Sequence, residues 1–359
     1  MTSRQTVTIV DVARAAGVSK STAGRALAGA AEVSARTRDK VARVAAELGY
    51  RPNQLARSMI TGNTQTVGVV VPDLSNRFFA EVLQSTARTV RKHGYEVLVS
   101  STEGEPELER RAVETLAAKR VDGLIVAPLD GTDDDHLRRL AEDGTALVLL
   151  DRRAPGVDRA SFVSANNIEA SRLAIDHLIR LGHRHIGIIS EARYDPALLD
   201  VTEPSAAGLR PSAMRLAGYL QAMTAAGVPT RPDHVMHSAY SSAISYDATR
   251  TLLRTNPEIT AIYCTDNVLS AGAFAAVQDS GLRCPQDLSL IGFDDHEWAT
   301  LVRPRLTAVE QPTEAIGVAA AEDLLDAIAT PARPPVTRLL AAHLVVRDST
   351  AVPRRQDVD

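Results

Sequence analysis

Cysteine is nearly absent from this chain of 359 residues, where only Cys264 and Cys284 occur. Two cysteines in apolar or semi-polar surroundings build no disulfide framework and suit ordinary reduced thiols. Histidines are scattered. His183 and His185 stand two apart, and His93, His136 and His177 are isolated, so no Cys/His set has zinc-ligand spacing. There is no Walker loop and no nucleophile elbow. These absences point away from an enzyme, and no cofactor or metal is expected. Long apolar runs are missing as well. Nothing approaches the ~20 residues that a membrane span needs. The N-terminus lacks a charged start followed by an apolar stretch of roughly 7–15 residues, so no signal peptide is expected and a cytoplasmic location is. The tail Asp348–Asp359 contains Pro353 and no leucine heptads, which argues against a tetramerising coiled coil.

What the chain does have is an uneven charge. The first 62 residues hold ten basic and four acidic residues, a balance of +6, while the whole chain is −4, leaving −10 on the remainder. A basic module on an acidic body suggests a local nucleic-acid contact, because phosphate neutralisation supplies most non-specific affinity. Many solvated helical faces are equally basic, so the pattern inside the head has to decide.

That pattern is helical. Ile9, Val12, Ala13 and Ala16 follow one apolar helical face. Thr8 is placed to N-cap this helix, with Asp11 where a capping-box acid would stand. Gly17 permits a tight turn. Ser19 can cap a second helix, Ser19–Ala28, whose Ala23, Ala26 and Leu27 pack inward while Lys20, Ser21 and Arg25 project from the other side. Helix, short glycine turn and helix is the helix-turn-helix arrangement. Ser34 can cap a third helix with Thr37, Val41, Val44, Ala45 and Leu48 on one face, and Gly49 suits its C-terminus. A short alanine-rich hairpin can imitate all of this.

The runs TIVDVARAAGVSKSTAGRAL and VSARTRDKVARVAAELGYRPNQLARSM resemble the head of the LacI/GalR family of bacterial transcription repressors, and the resemblance continues in order over about residues 6–348. It implies that Lys20, Ser21 and Arg25 read base edges in the major groove. Arg25 is the best physical candidate, since a guanidinium pairs bidentately with guanine O6 and N7. For Lys20 a phosphate contact is the alternative. Thr22, Ser34 and Thr37 match phosphate-holding positions that fix register, and Thr8 and Ser19 complete the implied contact set. Arg51-Pro52-Asn53 opens a short hinge helix for the minor groove, with Asn53, Leu55, Ala56 and Met59 as its DNA contacts. Two departures stand out. Gly24 replaces the usual serine, at roughly 1 kcal/mol against alanine in mid-helix. Met59 replaces the wedging leucine, and methionine is a softer wedge.

The body exceeds one ordinary core, so two lobes are expected. Short β-branched runs (Val67–Val71, Tyr95–Ser100, Gly123–Ala127, Ala146–Leu150, Ile186–Ile189, Ala261–Cys264, Leu288–Phe293, His343–Val346) alternate with amphipathic helices such as Phe78–His93 and Pro106–Lys119. That alternation argues for parallel α/β sheets, whose ligands sit beyond the carboxyl ends of the strands. The resemblance implies a two-lobed core like that of periplasmic binding proteins, with three crossings between lobes. These are expected near residues 160–163, 290–293 and 325–330. The resulting organisation is a helix-turn-helix domain at 1–50, hinge and linker at 51–64, core at 65–348 and tail at 349–359.

Polar residues at strand ends are the candidate ligand contacts: Asp73 and Asn76 with Phe79 beyond, then Asp151, Asp266 and Asp294. Arg215, in the run Arg-Leu-Ala-Gly, matches an effector-binding arginine of the family, and Tyr240 a position often held by an aromatic. Carboxylates with an arginine and an aromatic face suit a polyhydroxylated ring. A strand-end Asp can equally cap the next helix, above all Asp73 and Asp295. Asp266-Asn267 inverts the family's usual order, and Asn166-Asn167 replaces Asp-Asn. Residues 190–213 are longer than usual, which suits either a binding loop or a surface insertion. The reading is a DNA-binding regulator, controlled by a sugar or sugar derivative between the lobes and acting as a homodimer on a pseudo-palindromic operator. The alternatives are a transport-type sugar-binding protein without DNA function, or a regulator that responds to a nucleobase.

Overall fold

The computed structural model describes residues 7–27, 32–50, 63–129, 134–202 and 208–354. It divides into two compact units, Met1–Gln65 and Thr66–Asp359.

Among its described residues the head holds three helices, α1 (Ile9–Ala16), α2 (Lys20–Leu27) and α3 (Ala35–Glu47). Each begins where its cap residue predicts. The Thr8 N–H and hydroxyl both donate to Asp11 Oδ2, at 3.0 and 2.7 Å. Gly17 takes the left-handed conformation, φ 67°, which an L side chain rarely adopts. The inward faces of all three helices meet in one small core of Val12, Ala13, Ala16, Ala23, Ala26, Val41 and Ala45.

The body begins with β1 (Thr66–Val71), α4 (Arg77–Lys92), β2 (Glu96–Ser101), α5 (Pro106–Ala118), β3 (Gly123–Val126), α6 (Asp135–Glu142), β4 (Ala146–Leu150) and β5 (Ser161–Ala165). A second lobe follows: α7 (Asn167–Leu181), β6 (Ile186–Ser190), α8 (Pro211–Ala225), β7 (Val235–His237), α9 (Ser242–Thr255), β8 (Ala261–Cys264), α10 (Asn267–Asp279), β9 (Ser289–Phe293), α11 (Trp298–Leu301) and β10 (Thr307–Glu310). The chain then returns to the first lobe with α12 (Thr313–Ala329) and β11 (Thr337–Leu340) and ends in the second with β12 (His343–Val345). The two six-stranded sheets run β11-β5-β4-β3-β1-β2 and β12-β10-β9-β8-β6-β7. Every pairing is parallel except β10 with β12.

Both sheet faces are covered, which explains why the strands read as unbroken apolar runs. Val67, Val69 and Val71 point into a core shared with Phe78, Val82, Ile316 and Ala320, while Val70 points into the opposite core with Val113 and Leu116. The helix pair α4–α12 packs closely enough to need Gly317. A Cβ there would stand 1.9 Å from Ser85 Oγ and 2.4 Å from the Val82 carbonyl oxygen.

The positions of the three crossings and the start of the tail are corrected. The crossings fall between β5 and α7, between Glu310 and Thr313, and between Leu340 and His343, all further along the chain than 160–163, 290–293 and 325–330. The first two expected positions lie inside β5 and β9, which are buried throughout. A strand whose backbone is paired on both sides cannot change sheets midway. The third lies at the end of α12. The tail does not start at 349. Ser349 Oγ donates to the Leu290 carbonyl at 2.6 Å and accepts from Thr307 N–H at 2.8 Å, and Ala351 N–H donates to Ser289 Oγ at 3.1 Å. Among the described residues no helix is long and apolar enough to cross a membrane.

Candidate functional site

Two surfaces carry the sequence candidates, one in each unit. On the head, Lys20, Ser21 and Arg25 are exposed at the start and middle of α2, opposite buried Ala23 and Ala26. Among the described residues Arg25 forms one ion pair, with Glu32 at 3.8 Å and both side chains largely exposed, a contact worth little in water. Its guanidinium is therefore available to a partner. The hydroxyl residues are used differently. Ser19 Oγ accepts from Thr22 N–H at 3.0 Å and pairs with the Thr22 hydroxyl at 2.8 Å. Ser34 does the same for Thr37, at 3.3 and 2.9 Å. These pairs hold the first turns of α2 and α3, leaving exposed helix N-termini that suit phosphate oxygens. Gly24 has nothing within 4 Å of where its Cβ would lie, so no protein contact requires glycine there. Asn53, Leu55, Ala56 and Met59 lie outside the described residues.

In the body, a cavity of about 490 Å³ opens between the lobes at the carboxyl ends of the strands. All eight body candidates line it. Asp73, Asn76, Phe79 and Asp151 come from the first lobe, and Arg215, Tyr240, Asp266 and Asp294 from the second. The topology brings them together because each follows a strand or begins a helix on the same edge of its sheet.

Arg215 is the most constrained. It is buried in α8, where Nε donates to Asn167 Oδ1 at 2.8 Å and Nη1 to the Thr265 carbonyl at 2.7 Å. Its guanidinium lies 3.7 Å from the Phe293 ring centroid. Asp294 follows β9 with φ 63°, which turns it into the cavity rather than over a helix end. Its Oδ1 accepts from Gln311 Nε2 at 2.7 Å. Asp266 does both jobs that a strand-end aspartate can do: Oδ1 caps α10 through Val268 N–H at 2.7 Å while the residue lines the cavity. Burial, and then the neighbouring Asp294 carboxylate, push the Asp266 carboxyl up to about 7. Burial also raises Asp151. Asp73 accepts from Ser75 N–H and Oγ, both at 2.7 Å, shaping a turn. Asn76 caps α4 through Phe78 N–H at 2.9 Å, and its Nδ2 donates across the cavity to the Tyr240 hydroxyl at 3.2 Å. Asp295 faces elsewhere, holding both terminal nitrogens of Arg347 at 2.6 Å.

Sequence reasoning missed Glu103, Arg152, Glu191, Arg210 and Gln311, which also line the cavity. Arg152 stands next to Asp151, and that adjacency was a usable signal. Gln311 follows β10, a strand too short to stand out, and it sits on the second crossing. Three buried polar atoms of residues around the cavity have no hydrogen-bond partner among the described residues: Asp151 Oδ1, Arg152 Nε and Gln311 Oε1. Glu191 and Arg210 bracket the long 190–213 segment. Pro196–Asp200 forms a 3-10 turn with Leu198 buried, and Gln221 Nε2 holds the Val201 carbonyl at 2.8 Å. This part of the segment packs on α8.

Two family descriptions match the chain, one over each unit. Residues 8–53 match the family described as bacterial regulatory proteins, lacI family. Residues 64–346 match periplasmic binding proteins and sugar binding domain of LacI family. The chain is 32% identical over 317 residues to catabolite control protein A of Priestia megaterium, covering 88% of this chain and 90% of that protein. The structure is similar to the lac repressor dimer bound to operator and the anti-inducer ONPF, with a TM-score of 0.79, 26% identity, and coverage of 97% of this chain and 100% of that one. It is also similar to a complex of the transcriptional regulator CelR with cellobiose, with a TM-score of 0.70, 29% identity, and coverage of 96% and 99%.

Proposed function

The chain belongs to the LacI family of bacterial regulatory proteins, and on that premise we propose that it is a sequence-specific DNA-binding repressor governed by a sugar or sugar derivative in the cleft. The observation that carries the effector class is the polar lining of the cleft. Carboxylates from both lobes (Asp73, Asp151, Asp266 and Asp294) and the Arg215 guanidinium line one cavity. A ligand there must present several donors in different directions, with at least one acceptor. Hydroxyl groups do both. Phe79 and Tyr240 supply ring faces, and about 490 Å³ lies within the usual range for small-ligand pockets. Asp73, Asn76, Arg215, Asp266 and Asp294 complete the effector contacts in this reading.

For DNA, Arg25 reads a base, with Lys20 and Ser21 beside it, while Thr8, Ser19, Thr22, Ser34 and Thr37 fix the head on phosphates. Asn53, Leu55, Ala56 and Met59 serve the minor groove. The regulator works in the cytoplasm as a homodimer on a pseudo-palindrome, because one head reads half a site, and it carries out no reaction. The test is a thermal-shift screen of sugars, sugar acids and nucleobases on the full chain, followed by binding to DNA selected from a random pool. Effector and selected DNA must change each other's affinity by the same factor. Stabilisation by a nucleobase and by no sugar overturns the effector class. Absence of any selected sequence overturns the DNA role.

A further inference from the structure

We propose that His185, His234 and Glu258 form a binding site for one divalent transition-metal ion of zinc type on the second lobe. The three residues are 49 and 24 positions apart in sequence and share no motif spacing. The fold collects them because each precedes one of three neighbouring parallel strands, β6, β7 and β8. They therefore lie at the amino ends of those strands, whereas Glu191, Tyr240 and Asp266 of the cleft follow the carboxyl ends. This site is separate from the effector cleft.

One donor atom from each residue lies within 4.8 Å of the other two. His234 Nε2 stands 3.4 Å from Glu258 Oε1. Two tetrahedral ligands, each ~2.1 Å from zinc, stand about 3.4 Å apart, so that edge already has metal-site dimensions. His185 is exposed and can swing its ring inward. The His234 ring is buried yet poorly satisfied. Among the described residues its ring makes one hydrogen bond, which is long at 3.4 Å, and its Nδ1 has no partner. The backbone beneath is braced, since the His185 carbonyl accepts from Thr260 N–H at 2.9 Å and the Asp233 carbonyl accepts from Asn256 Nδ2 at 3.2 Å. Two imidazoles and one carboxylate suit Zn²⁺, Ni²⁺ or Cu²⁺ with a position open to water. Arg231 opposes the ion, because its Nη1 donates to Glu258 Oε1 at 2.8 Å.

The test uses untagged, chelator-treated full chain, titrated with zinc chloride by calorimetry and with Co²⁺ by visible absorption. One ion per chain is expected, with tetrahedral cobalt bands. His185→Gln and Glu258→Gln should each weaken binding at least about tenfold, in the range that loss of a metal-site contact produces. Arg231→Leu should tighten it. His185 is exposed, so its variant should fold even if His234→Gln does not. Binding no tighter than ~1 mM in the parent, or one-ion binding that persists unchanged in both His185→Gln and Glu258→Gln, overturns the assignment.

Discussion

Asp294→Asn isolates the electrostatics of the cleft. The substitution removes one negative charge and little else. Asparagine tolerates the left-handed backbone at this position, and its Oδ1 can still accept from Gln311 Nε2, as Asp294 does at 2.7 Å. The affected neighbour is Asp266, whose carboxyl is pushed up to about 7 from 3.8, first by burial and then by Asp294. A raised folded-state value means that the group favours the fold most at low pH, and that this contribution is lost as pH rises towards about 7. A change from 3.8 to about 7 corresponds to ~4 kcal/mol. Burial is the larger cause, Asp294 the second, and Arg215 opposes both, so removing the Asp294 charge should bring the carboxyl down, at ~1.36 kcal/mol for each pH unit that it falls. Between about pH 5 and about pH 8 the stability of the variant should therefore improve on the parent's by that amount, whatever their offset at low pH. Trp298 is the only tryptophan and packs against Phe274 in the second lobe. Its fluorescence in urea titrations across that pH range follows the lobe concerned. A gap that stays flat with pH, or widens in the parent's favour, would refute the like-charge argument. The same variant should lose effector affinity by about 1.5–3 kcal/mol if Asp294 accepts from the ligand as a charged group.

Arg215→Ala should abolish the response to effector while leaving operator affinity unchanged, as read by fluorescence anisotropy well below the melting temperature. It should also cost stability, because Asn167 Oδ1 and the Thr265 carbonyl lose their donor, at about 1–3 kcal/mol for each buried orphan. A normal response in the variant moves the pocket elsewhere. Arg25→Ala should weaken operator binding by about 1–3 kcal/mol and relax preference at one base pair per half-site; uniform loss over all sequences would reduce Arg25 to a phosphate contact. Gly317→Ala should destabilise the first lobe by about 1–3 kcal/mol or more. Ser85 can rotate away from the new Cβ, but the Val82 carbonyl, 2.4 Å from it, is backbone. A melting temperature equal to the parent's in calorimetry would show that α4 and α12 separate freely.

Much of the molecule was legible in the sequence because the signals were local. Thr8, Ser19 and Ser34 begin helices through bonds to residues within the next turn, and Gly17 ends one through its own backbone. The runs Val67–Val71 and Ile186–Ile189 read as strands because both sheet faces bury them. Asp73, Asn76, Phe79, Asp151, Asp266 and Asp294 could be named because a parallel sheet presents its strand ends on one edge, whatever fills the loops, whereas Arg215 and Tyr240 rested on the family resemblance.

The rest depends on partners far apart in the chain. The crossings were misplaced because apolar character does not tell which of two sheets a strand joins. Gln311 was passed over because its value comes from Asp294, seventeen residues away, and from sitting on the segment that links the lobes. The hydrogen bonds that tie Ser349 to the body are invisible until Leu290 and Thr307 stand beside it. His185, His234 and Glu258 appear scattered until β6, β7 and β8 lie side by side. The sequence by itself determined the head helices, the more apolar strands, the charge division and the residue types of the cleft, since those follow from a residue and its near neighbours. Only the tertiary structure decided which polar groups are buried without partners and which side chains share a few ångströms, because burial and proximity are properties of the packed chain.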